Sequence, residues 1–139
     1  MAGLVDLSSS SRSIAGVLLL TIVAVEYGGT FMLRILRGKV PMTAFQKAFA
    51  RAGHAHAGVL VILSLVAQLY ADAAGLTGLS STIGREAIPL AAILMPAGFF
   101  FSSMGRGAER PNGLVWLLYA GAVSLAAGVV TLGIGLLST

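Results

Sequence analysis

The chain has 139 residues, 57% of them hydrophobic and 10% charged, with a formal net charge of +4 and no cysteine; its mean hydropathy is +0.93. Soluble domains carry about 25% charged residues, so a water-facing surface over this chain is excluded, as are disulfides, thiolate metal sites and a thiol nucleophile. The expected class is an all-α polytopic membrane protein, a single transmembrane domain in the lipid bilayer of the plasma membrane that binds no nucleic acid.

Four apolar segments have about the ~20 residues that an α-helix needs to cross ~30 Å of hydrocarbon. They predict helices over about 13–36, 43–72, 86–105 and 113–137. None shows the short alternating pattern of a barrel strand. Asp6 and the serines 8–11 precede the first segment without a basic n-region, so it is expected to stay in the mature protein rather than leave as a signal peptide. Basic residues cluster in the first connection (Arg34, Arg37, Lys39, Lys47, Arg51) and the last (Arg106, Arg110), whereas the central one holds only Arg85. The positive-inside bias then places both basic connections in the cytoplasm and both termini outside.

The first helix is apolar from Ile14 to Val25 and then meets Glu26, about halfway across. A charge there costs ~2.5–3.5 kcal/mol on insertion scales, so Glu26 is expected to be neutral, paired or wetted. Gly29 and Thr30, one turn on, leave space beside it. Arg37 lies roughly 16 Å further along the axis, and Arg34 is rotated by about 80°, so neither pairs with it directly. Gly28-Gly29 marks either a kink or a close helix contact.

Gly38-Lys39-Val40-Pro41 ends this helix, and Thr43 followed by Gln46 reads as a capping box for the next. Both histidines follow at the mouth of its apolar run. Two residues apart on a helix, His54 and His56 point about 200° apart and cannot grip one ion together. His54 continues the row Lys47, Arg51, Gly58, Val61, Leu65, Gln68 and Asp72, polar at both ends, and is expected to contact water. His56 continues Phe49, Leu60, Leu63, Ala67 and Tyr70, and is expected in a dry interface.

Gly75 to Gly84 reads as a glycine and hydroxyl loop, with Pro89 in the first turn of the third helix. Pro96 falls inside that helix, where it frees the Ala92 carbonyl and either kinks the helix or supplies a coordinating oxygen. In the fourth helix Gly121, Gly128 and Gly135 recur every seven residues, with Ser124 and Thr131 between them. This is a packing seam, within one subunit or between subunits. Shifting the chain by 69 residues superposes Gly29, Phe31, Arg37 and Gly38 on Gly98, Phe100, Arg106 and Gly107. The chain would then be two parallel-repeated helical hairpins, of which only the first keeps Glu26, His54 and His56.

The segments 45–58, 94–98 and 116–120 together resemble those of small uncharacterised four-helix membrane proteins of actinobacterial type. The resemblance covers nearly the whole chain and implies the topology but no activity. The Gly53–Gly58 stretch also resembles histidine-bearing helices of membrane oxidase-like proteins, whose haem needs further histidines that this chain lacks.

The sequence holds no paired carboxylates, no nucleophile beside a base and no phosphate-cradling loop, so no enzyme is expected. An intramembrane carboxyl and an imidazole on one hairpin are the minimum for a proton or small-cation path. The leading reading is an oligomeric channel or transporter, with Glu26 as its site, His54 or His56 as gate or relay, and Thr30, Gln68 and Pro96 in support. The glycine seam could build that homo-oligomer or join a membrane complex. No cofactor is called for. The alternatives are a metal-binding or redox-associated subunit, and a structural or assembly subunit without chemistry.

Overall fold

A computed structural model describes residues 6–138. Its long elements are all helical: α1 (Ser9–Leu36), α2 (Ala44–Ala73), α3 (Gly78–Ser102) and α4 (Trp116–Leu137), the last entered through a 3-10 turn, Gly113–Val115. Each is long and apolar enough to cross a membrane. The described chain is thus a four-helix, multi-pass membrane protein.

The expected capping box is present. The Thr43 hydroxyl accepts from the Gln46 N–H, and the Gln46 side chain accepts from the Thr43 N–H, satisfying two donors that a helix start leaves open. The expectation for the central connection fails, because α3 starts at Gly78 and the turn shrinks to a few residues. Gly75 (φ +58°) and Gly78 (φ +57°) supply the left-handed conformations that close it. The hydroxyls of residues 80–82 then lie on a helix rather than a loop; Ser80 donates back to the Thr77 carbonyl. Pro89 is therefore interior to α3, and the helix continues through both Pro89 and Pro96.

Packing follows chain order. α3 lies between α2 and α4, and Ala67, Ala71, Ile88 and Leu132 form the core where the three meet. α1 packs on α2 and barely touches the others. In its most apolar window only 6% of residues are buried, against 39% in α3, so α1 is the peripheral helix. The glycine seam of α4 lies inside the subunit. A Cβ on Gly121 would meet Met95 at 2.5 Å, one on Gly128 would meet Ile88 at 2.6 Å, and one on Gly135 would meet Leu76 at 2.7 Å. Ser124 donates to the Ala87 carbonyl at 2.7 Å. Close approach to α3 at Gly121 and Gly128, and to Ala74 and Leu76 of the preceding turn at Gly135, uses all three glycines, which are not available to build an oligomer.

The 69-residue interval recurs in the structure. The N-caps of α1 and α3 are Ser8 and Thr77, those of α2 and the α4 entry are Thr43 and Asn112, and Gly38 and Gly107 share a φ of +68°.

Candidate functional site

The row from Lys47 to Asp72 on α2 is the face that receives α1, and its residues define three zones along one seam. At the far end Asp72 and Arg85 form an ion pair (2.6 Å), each side chain 14% exposed. The Ser8 N–H donates to the other Asp72 oxygen at 3.0 Å. Arg85 also donates to the hydroxyls of Ser8, Ser11 and Ser81. Ser11, fully buried, donates to the Gln68 carbonyl at 3.3 Å. This clamp joins the starts of α1 and α3 to the end of α2.

Gln68 belongs to the same cluster and has a definite task. Pro89 has no N–H, so the Arg85 carbonyl lacks its helical donor; the Gln68 amide donates to it at 2.9 Å. Gln68 is wholly buried, and its Oε1 has no partner among the described residues. The Ala92 carbonyl, freed by Pro96, receives no side chain in the same way.

The middle zone is a groove of about 540 Å³ with α2 as its floor and α1 and α3 as walls. Val17, Thr21 and Val25 line one wall, Pro89 and Ile93 the other, and Ala57 and Val61 the floor. Thr21 turns its hydroxyl back to the Leu18 carbonyl at 2.7 Å, which leaves the lining almost wholly apolar.

His54 closes the groove. A Cβ on Gly28 would lie 3.3 Å from His54 Nδ1, and one on Gly29 would lie 3.7 Å from Nε2, so the glycine pair makes a close contact and the ring rests on α1. His54 is half-buried in the α1–α2 seam, because two glycines leave room for an imidazole. It makes no hydrogen bond with any described residue. His56 faces the other way, as expected. Its Nδ1 donates to the Ala52 carbonyl at 2.8 Å, and its ring lies 4.9 Å from that of Phe99.

Beyond His54, Lys47 and Arg51 border a smaller pocket of about 150 Å³ with Met32, Ile35 and Leu36. Both side chains are exposed and neither forms an ion pair with a described residue.

Glu26 stands apart from all three zones. It is exposed on the outer face of α1, and no hydrogen bond or ion pair links it to either histidine or to any other described residue. Thr30, one turn on, is exposed and donates to the Tyr27 carbonyl at 2.7 Å. Among the described residues no three His, Asp or Glu come together in a metal-binding group. Ser8, Ser11 and Ser81 are clamp residues that the sequence did not single out; Asp72 and Arg85 on either side of one short turn were a readable signal for the ion pair alone. In comparisons with known proteins, no family model, no curated protein and no solved structure matches this chain.

Proposed function

We propose that the protein assembles through α1 into a homo-oligomer that passes protons or a small cation, with Glu26 as the intramembrane site. One observation carries the reading. Glu26 is an unpaired carboxyl on a face of α1 otherwise made of Leu19, Ile22, Thr30 and Leu33, all exposed. Such a group is costly against lipid tails and is normally met by a partner or a water-filled path. Copies arranged with this face toward a common axis would give each carboxyl both, and a ring of carboxylates selects for cations.

In this assembly the glycines of α4 have no part, since α3 and the turn before it cover them. Both termini lie outside and the basic connections face the cytoplasm. Neither histidine serves as the immediate relay for Glu26 within one subunit, and His56 is a packing residue. The test is proton and cation flux into liposomes, wild type against Glu26→Gln, with assembly size measured on the same samples. Wild-type flux that falls to background in a correctly assembled Glu26→Gln protein supports the proposal. A wild type that moves nothing overturns it, and a substitution that alters only assembly identifies a structural subunit.

A further inference from the structure

The groove, His54 and the two cations beyond it lie in sequence along one seam, and together they describe a ligand. Ser13 and Gly28, which bound the groove on α1, are separated by ~22 Å of helix, most of the hydrocarbon thickness. With a volume of about 540 Å³ spread over that length, the groove is long and narrow, the shape of one extended hydrocarbon chain. Its volume lies within the ~300–1,000 Å³ of small-molecule sites, which pair apolar walls with a few convergent polar groups.

Those polar groups stand at one end. His54, Arg51 and Lys47 follow one another at intervals of three and four residues, so they are neighbours on one face, ~5–6 Å apart at Cβ. The imidazole has no hydrogen-bond partner, and the guanidinium and ammonium face no described acid. An aliphatic slot that ends in an unsatisfied imidazole and two unpaired cations is complementary to a chain that ends in an anion.

We infer that the α1–α2 seam binds a long-chain fatty acid, its tail in the groove and its carboxylate between His54 and Arg51, with Lys47 beyond. The carboxylate takes two hydrogen bonds from the planar guanidinium, a geometry that a lysine at position 51 would not reproduce. The site is independent of Glu26, which lies on another face of α1.

The test uses the intact protein in a neutral maltoside detergent with oleate, oleyl alcohol or phosphatidylglycerol. Bound mass is read by native mass spectrometry and the unfolding midpoint by a thermal scan. Oleate is expected to bind at one equivalent per chain and to raise the midpoint, and oleyl alcohol is expected to do neither. The double variant Lys47→Gln/Arg51→Gln changes only exposed side chains, so it should unfold as wild type without ligand and bind oleate at least about tenfold more weakly. Ala57→Leu, which fills the groove floor, should also lose oleate. The inference is overturned if the alcohol binds as well as the acid, if the double variant keeps wild-type affinity, or if phosphatidylglycerol alone shifts the midpoint.

Discussion

Pro89 and Gln68 form a pair in which one residue creates a need and another, on a different helix, answers it. The proline deprives the Arg85 carbonyl of its donor, and the Gln68 amide supplies one at 2.9 Å. Gln68→Leu should therefore destabilise the fold by about 1–3 kcal/mol, the cost of a buried group left unpaired. In a Pro89→Ala background the restored N–H at position 89 can bond to Arg85, and the same substitution should cost much less. A double-mutant cycle of thermal unfolding measures this coupling, and equal costs in both backgrounds would refute it. The neighbouring ion pair obeys a related rule. Arg85→Met leaves the Asp72 carboxylate nearly buried with the Ser8 N–H as its main donor, and about 3 kcal/mol of stability should be lost, toward the lower end of values for broken buried pairs.

At the level of elements, the contrast is between the locked contact of α3 with α4 and the open face of α4. α3 and α4 approach so closely that a Cβ on Gly98 would lie 2.5 Å from the backbone nitrogen of Leu118, whereas one on Gly133 would meet nothing within 4 Å. Gly98→Ala should cost about 1–3 kcal/mol by forcing the helices apart. Gly133→Ala should be neutral or gain up to ~1 kcal/mol from helix propensity. Thermal unfolding of the two variants in one detergent gives the comparison. The seam itself was legible, because glycines at 121, 128 and 135 can only mean close packing. Which surface it packs against was not, since periodicity names a face and not the partner. The start of α3 was illegible for a different reason. Gly75, Gly78 and Gly84 look alike in sequence, yet the first two close a turn while Gly84 admits Leu132 and Leu76 beside it. The contact of His54 with Gly28 and Gly29 was not legible, because its row named a face of α2 and not the helix that covers it.

Over the whole molecule, the clamp and the basic pocket mark the two ends of a seam that holds the peripheral helix. Four apolar runs made the helix count readable, but the clamp draws on Ser8, Ser11, Gln68, Asp72, Ser81 and Arg85, which no local pattern unites. Between those ends, α1 gives up little surface to the rest of the subunit. In the dissociated monomer, its amides in the half beyond Leu18 should exchange with deuterium sooner than those of α3, as read by mass spectrometry on the detergent-solubilised protein. Equal protection would mean that α1 is covered as fully as the central helices.

At the opposite end from the clamp, the Gln46 amide donates to the carbonyls of Ser103 and Gly105, and the Thr43 hydroxyl donates to that of Ala108. These bonds cross from the first connection to the last, so they can form only if both connections emerge on the same side of the bilayer. They thus act as a check on insertion. A chain whose second hairpin enters the membrane upside down forfeits all three bonds and the packing of Ile88 and Leu132 against Ala67 and Ala71, which makes the orientation of each hairpin a condition for completing the other.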